Sequence, residues 1–507
     1  MAVDVIKLFA ENKMLKAQLN NSIMINKNQA RTITMYEEKL ETMVNDAVNK
    51  AISQVKVEYE KIINELNQKV AKLECKLNTN SSNSSIPISK NPIAVKISNQ
   101  RTISNKNIGA QKGHKQNKLD YFEEEEITET KEHVQTVCPN CKCLDLEFKS
   151  IVISDIIDFN IEVTKTRNKI YQYNCTRCKR GVTSNDILPR GASYGSNVNA
   201  SAIILMNDAN VPINKVRKYF TGLSNEEINM SEGYISKLQV KVASKLDDFI
   251  DELKTKILRE KIVHWDDTEI KIAISKGYLR FYGNEKLALI IAHANKKEEG
   301  FETDGIFENL TEEQTLVHDH VLYTYNEKFK FQNSECNSHI LRYLQAITDN
   351  VHNHNWEKEL SKLLKEANDN RAGKTHYEES YIKDIYNRYD EILKLGYVEN
   401  NNLPDYHFYK EKELLLISRL DKYRDAHLLF IKDFDVPFTN NTAERSFRIS
   451  KSKIKISGLF QNIITASNYA KILTYMETCY RNRINKHLAI KRLLDGNPYT
   501  IKELIAN

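Results

Sequence analysis

Three groups of residues in this 507-residue chain have the types and spacing needed for metal or phosphate chemistry. The first is a pair of Cys-x-x-Cys motifs, Cys138-Pro-Asn-Cys141 and Cys175-Thr-Arg-Cys178. Two such pairs on hairpin knuckles supply four thiolates, the donor set of a structural zinc site with Zn–S bonds of about 2.3 Å. The stretch between them is longer than the roughly 15–20 residues of common zinc ribbons. Strands expected over 151–157, 161–163 and 170–173 can bring the pairs together; a redox pair is the rival use, and Cys143 is a spare thiol beside the first pair. The second group is acidic. One apolar run ends in Asp266-Asp267, another in His318-Asp319, and Glu444 falls in the first turns of a helix opened by Pro437 to Asn441, with Asn440 and Asn441 at its N-cap. Carboxylates on two strand ends and a helix start can hold two divalent cations of the Mg²⁺ or Mn²⁺ type. Two such ions, about 3.5–4 Å apart, activate a water or hydroxyl and stabilise the leaving oxygen in phosphoryl transfer. Spacing alone leaves surface acids as the plain alternative. The third group is basic: Arg445, Arg448, Lys451, Lys453 and Lys455 put five cations in eleven residues without an acid. That run suits DNA phosphates or a solvated helix face. Cys336 and His339, at i and i+3, are either a soft ligand pair or a buried thiol and a capped histidine, and Trp265 reads as core packing.

These groups need elements to position them. Residues 1–77 lack proline and glycine, and Ile52, Tyr59, Leu66 and Leu73 recur every seven residues. This is a coiled-coil seam, buried against a partner helix or by folding back on its own chain. Polar residues and two prolines make 78–100 a linker. From 86 to 118 there are seven Lys/Arg and no acid, followed over 120–132 by seven acids and one lysine. The basic part is either a solvated segment or a phosphate-contacting arm. Residues 198–258 read as short helices with glycine-containing turns. They fit a helix-turn-helix-like unit whose recognition helix starts near Ser231, and a plain helical bundle as well. Strand patterns follow over 262–268, 271–274, 279–282, 287–293 and 315–319; the chain then turns helical and highly charged to about 432.

Composition narrows the classes. The net charge is +6, apolar residues make up 41% and charged residues 28%, which is enough for packed cores. Fifteen glycines and eight prolines exclude collagen-like and glycine-linker architectures. The patterning offers neither a membrane span nor a secretory signal. Eight cysteines are too few for a disulfide scaffold of this length and suit a reducing cytosol.

Four blocks together resemble the DDE transposases of the insertion-sequence-66 class. They are Asp266-Asp267-Thr268, Val317-His318-Asp319-His320, Cys336 to Arg342, and Asn440-Asn441-Thr442-Ala443-Glu444-Arg445 running on to Phe460. Upstream, Gly109-Ala110-Gln111-Lys112-Gly113-His114-Lys115 is similar to the family's basic Gly-Gln-x-Gly-His segment, and the cysteine pairs match its zinc-binding domain. Asp267 stands where the family often has Glu, and Ala110 where a second glycine is usual. The resemblance implies an RNase-H-like core with Asp266, Asp319 and Glu444 as ligands of Mg²⁺ or Mn²⁺, and Zn²⁺ on Cys138, Cys141, Cys175 and Cys178. Lys112, His114, Lys115 and the basic run from Arg445 to Lys455 are the expected DNA contacts.

The expectation is therefore a multidomain α+β protein. Its parts are a coiled coil (1–77), a basic/acidic linker (78–132), a small β-rich zinc-binding domain (133–190) and a helical, helix-turn-helix-like region (191–258). An RNase-H-like α/β catalytic core (259–349 and 436–507) follows, split by a helical insertion (350–435). The expected activity is binding of element ends, metal-dependent DNA cleavage and strand transfer. Expected partners are element and target DNA, a second copy of the chain and accessory proteins of the same element, in a cytoplasmic, nucleoid-associated setting without a membrane. The rival is a zinc-containing coiled-coil DNA-binding regulator with a relic core.

Overall fold

Without proline or glycine to interrupt it, the N-terminal segment forms one helix, α1 (Ala2–Asn78); its 77 residues span about 115 Å at ~1.5 Å each. The computed structural model describes residues 2–84, 86, 91, 120–159, 161–183, 191–296 and 298–506. After α1 come a hairpin, β1 (Gln172–Asn174) and β2 (Gly181–Thr183), and helices α2 (Ser196–Asn207), α3 (Ile213–Leu223), α4 (Glu232–Ala243) and α5 (Asp247–Ile257). Next are β3 (Ile262–Ile272), β4 (Ser275–Gly283), β5 (Ala288–His293), α6 (Glu298–Asp304), β6 (Thr315–His318), β7 (Gln332–Glu335) and α7 (Asn337–Asn350). Helices α8 (Trp356–Asp369), α9 (Glu379–Asn401), α10 (Lys410–Lys422) and α11 (Arg424–Lys432) follow. The chain closes with α12 (Asn441–Ser446), α13 (Arg448–Ser457), α14 (Ile463–Arg481), α15 (Lys486–Leu494) and α16 (Ile501–Ile505).

One compact unit comprises residues 1–97, 340–372 and 377–424. The seam residues Ile52, Tyr59, Leu66 and Leu73 of α1 are all exposed, so the helix is not folded back over them. The end of α1 is tied down: Asn78 Nδ2 donates to Asp349 O (3.1 Å), Asn83 Nδ2 to the Asp349 carboxylate (2.6 Å), and Cys75 is buried. Among the shorter helices, the buried Glu413 carboxylate accepts from Trp356 Nε1 (2.7 Å), His354 Nδ1 (2.9 Å) and Asn400 Nδ2 (2.8 Å). A fully satisfied buried carboxylate of this kind locks helix register.

The second unit, residues 98–339, 373–376 and 425–507, carries the sheet. Its strand order is β5-β4-β3-β6-β7. Strands β3, β4 and β5 are antiparallel neighbours, while β6 runs parallel to β3 and β7 parallel to β6. Strand β3 continues to Ile272 and turns at Ala273 (φ 49°) straight into β4, so 271–274 is a hairpin and not a separate strand. The edge strand β5 is covered by α14. Thr474 Oγ1 takes the Ile290 N–H (2.8 Å) and Thr478 Oγ1 the Ala288 N–H (3.2 Å), satisfying an edge that would otherwise be open to pairing.

Helices α2 to α5 form where the pattern places them, and Ser231 caps α4 by accepting from Tyr234 N–H (3.1 Å). Their buried Ile203, Val216, Ile235 and Leu253 share one core with Trp265, Tyr282 and Leu289 of the sheet and Tyr475 of α14. On another core lie Phe281, Ile290, Ala443, Phe447 and Tyr469. Among the described residues of the strands expected over 151–173, residues 172–174 alone form one; Val152 and Ile156 are exposed, without the paired strand that β-branched residues need. Residues 425–432, most of α11, group with the unit that carries the sheet.

Candidate active site

The parallel register builds the site. Pairs Ile262↔Thr315 and His264↔Val317 align β3 with β6, and His318↔Glu335 aligns β6 with β7. Extending the first ladder two residues past its last pair brings Asp266 level with Asp319, whose charge reaches it; extending the second by one residue brings Asp319 level with Cys336. In-register neighbours in a parallel sheet are about 4.8 Å apart and point the same way. The row Asp266, Asp319, Cys336 therefore runs across three strands, just past the carboxyl ends of β6 and β7 but inside β3, which continues to Ile272 and does not end at Asp266 as the apolar run suggests; strand alternation turns Asp267 to the opposite face. Asp267 pairs there with Lys296 (2.8 Å).

Two helix starts close on this row. His339 lies in the first turn of α7, its N–H donating to Cys336 O (3.1 Å), and Glu444 lies in α12. His339 Nδ1 is 3.0 Å from Asp319 Oδ1 and 3.8 Å from Glu444 Oε1, and all three atoms are out of contact with solvent. Ligand atoms of Asp319, Cys336, His339 and Glu444 lie within 4.8 Å of one another. Asp266 is not part of that tight group but is close enough to feel it. Burial, then repulsion from Asp319 and Asp267, pushes its carboxyl well above the usual range, with Lys451 a partial counterweight. Burial opposes charge on His339, yet Asp319 and Cys336 outweigh it and hold the imidazole up at about 10. Facing carboxylates at such a cost suit a divalent cation, and Asp266, Asp319 and Glu444 offer the oxygen donors that Mg²⁺ or Mn²⁺ takes.

Asn440 sets the approach of α12. It sits at the N-cap, but its side chain does not cap the helix. Instead Nδ2 donates to Trp265 O (2.7 Å), Oδ1 meets His264 Nδ1 (2.8 Å), and the backbone N–H donates to Cys336 Sγ (3.1 Å). Behind the row, Glu335 is buried and accepts from His320 Nδ1 (2.6 Å), Tyr325 Oη (2.6 Å) and His427 Nε2 (3.1 Å). His320, directly after Asp319, has φ 59°. In the sequence Asn440 reads as a cap, Trp265 as core and Cys336 as a ligand or a buried thiol, whereas Glu335, Tyr325 and His427 carry no signal. The polar Gln332–Glu335 stretch carries no strand pattern, so β7 and Glu335 gave no signal.

The basic run divides. Arg445, Arg448, Lys451 and Lys455 are exposed, Arg445 lying 3.7 Å from Glu285. Lys453 turns inward, with Nζ 3.3 Å from Met206 O and over the Tyr469 ring, and burial lowers its pKa. Trp265 is buried against Phe301 and Phe307. Lys112, His114 and Lys115 lie outside the described residues. The two cysteine pairs form the same turn. Cys138 N–H bonds to Cys143 O and Lys142 N–H to Cys138 O, just as Cys175 N–H bonds to Arg180 O and Lys179 N–H to Cys175 O. Lys142 and Lys179 both take positive φ. Backbone N–H groups of Cys141 and Asn140, and of Cys178 and Arg177, lower the pKa of Cys138 and Cys175. Among the described residues, no three of these thiols converge as the Asp319 cluster does.

No helix among the described residues is long and apolar enough to cross a membrane. No curated protein gives a significant match to the chain. The family model described as the transposase IS66 family matches residues 191–468, a stretch that begins just before α2 and takes in the sheet, the row Asp266, Asp319 and Cys336, and α12. On that match over more than half its length, the chain belongs to the IS66 transposase family.

Proposed function

We propose that this transposase binds the ends of its element and cleaves and joins DNA by divalent-metal-dependent phosphoryl transfer, with Asp266, Asp319 and Glu444 as the carboxylates of an RNase-H-like core. The observation that carries the reading is Glu444 of α12 meeting Asp319 in one tight group, with the β3–β6 register, continued two residues, supporting Asp266 as the third carboxylate. Cations held there supply a polarised nucleophile and a stabilised leaving oxygen. The protein's own part is positioning. Asn440 fixes the entry to α12 and so the height of Glu444, while Glu335 steadies the turn after Asp319. Lys451, whose charge reaches Asp266, is placed to draw a phosphate to the row. Exposed Arg445, Arg448 and Lys455 extend that positive surface for the flanking strand. A regulator with a relic core would need none of this convergence.

Two outlying parts complete the reading. The paired knuckles are suited to one structural Zn²⁺, each presenting thiolates on a turn whose N–H groups point at sulfur. The open seam of α1 is suited to pairing with a second copy, as end joining requires coordinated subunits. The test is a strand-transfer assay with the element's own ends in Mg²⁺. Asp319→Asn should abolish joining while end binding, which rests on phosphate contacts, persists. Joining by Asp319→Asn protein at the parental rate would overturn the reading.

A further inference from the structure

The cluster Asp319, Cys336, His339 and Glu444 contains more than an oxygen site needs. A thiol and an imidazole add nothing to the binding of Mg²⁺, a hard ion that takes oxygen donors in octahedral geometry. They are the donors that select borderline and soft d-block cations. A tetrahedral zinc with ligands at about 2.0–2.3 Å has ligand atoms about 3.3–3.8 Å apart. The separations from His339 Nδ1, 3.0 Å to Asp319 Oδ1 and 3.8 Å to Glu444 Oε1, bracket that edge length. Three further features favour a built site. Cys336 and His339 are held on one turn by the His339 N–H to Cys336 O bond (3.1 Å). Cys336 Sγ already receives the Asn440 N–H at 3.1 Å, the kind of outer-shell donor that orients metal thiolates. Cys336 and His339 are both buried, so the donors exchange little with solvent.

We infer that these four side chains form a transition-metal site that takes one Zn²⁺ or a chemically similar cation, separate from the cysteine knuckles. Zinc there competes with the hard cations for Asp319 and Glu444, so the protein carries an off-state set by zinc within its own active site. The inference rests on the reading of Asp319 and Glu444 as catalytic carboxylates only for that consequence; the metal site itself stands on the geometry.

The test uses metal-stripped full-length protein and Co²⁺ as the probe, reading equivalents bound and the thiolate-to-cobalt absorption band. Cys336→Ser and His339→Gln should each lose one equivalent relative to the parent. A variant with serine at positions 138, 141, 175 and 178 should keep one equivalent with a tetrahedral spectrum and a single-thiolate band. Thermal melts of each variant show whether it is folded, and two different ligand substitutions guard against one that is not. Release of bound Mn²⁺ on adding Zn²⁺, followed by the Mn²⁺ resonance signal, should occur in the parent and not in Cys336→Ser. Unchanged Co²⁺ stoichiometry in both Cys336→Ser and His339→Gln overturns the inference. If it is overturned while Asp319→Asn still abolishes joining, the transposase reading survives alone. If the Co²⁺ losses occur but Asp319→Asn joins DNA normally, the metal site survives and the catalytic reading falls.

Discussion

Replacing Asn440 by alanine tests the claim that one buried amide holds Glu444 in place. The side chain is fully buried and makes two hydrogen bonds, to Trp265 O at 2.7 Å and His264 Nδ1 at 2.8 Å. Truncation leaves both partners unpaired in a site without solvent, at about 1–3 kcal/mol each, so about 2–6 kcal/mol in all. Thermal denaturation should register this as a fall of several degrees, since about 1 kcal/mol moves the midpoint by roughly 2–4 °C in domains of 150–250 residues and by somewhat less in a larger unit. The backbone N–H to Cys336 Sγ survives the substitution, so the start of α12 loosens without detaching. A shift of about 1 Å in Glu444 is enough to cost roughly 10²-fold in rate. Joining of element ends should therefore fall by about that factor, with end binding retained. A melt within a degree of the parent refutes the energetic argument. A clear loss of stability with joining unchanged refutes the positioning role and leaves Asn440 a structural residue only.

Polar substitution of Ile52, Tyr59 and Leu66 should reduce the mass of the assembly in light scattering, because all three sit exposed on the α1 seam; an unchanged mass distribution would exclude that seam as the association surface. Arg448→Ala and Lys455→Ala should each lower the salt slope of DNA binding by about 1, whereas Lys453→Ala should lower the melting temperature instead, since its amine is packed at Met206 O and over Tyr469. Asp266 is raised above the ordinary aspartate value of 3.8 by burial, then by Asp319 and Asp267. Between 3.8 and that raised value the native state holds a proton that the unfolded chain has released, so metal-free protein should lose stability as pH rises through this window. Mn²⁺ competes with the same proton, and its affinity, measured by titration calorimetry, should rise with pH over the same range; a flat profile would exclude Asp266 as a ligand.

Local chemistry determined a good part of this protein. An unbroken helix over α1, the strand that carries Asp266 and the one that ends just before Asp319, the cap at Ser231 and the two cysteine turns all follow from interactions within a few residues of each other, which composition and periodicity report directly. Strands 151–157 and 161–163 failed for the complementary reason: alternation predicts a strand only if a partner and a core exist to receive it. Tertiary structure alone decided the site. Whether Asp266 or Asp267 faces Asp319 depends on the parallel register of β3 with β6, and Cys336 enters the row only because polar, patternless Gln332–Glu335 pairs as β7. Lys453 could not be told from its neighbours in the basic run, because its inward turn is set by Met206, far away in the chain, and by Tyr469 on the next helix. Asn440 reads as a helix cap in sequence and acts as a clamp between strand and helix in space, since the cap position and the clamp contacts differ only in which distant groups the fold brings within 3 Å of its amide.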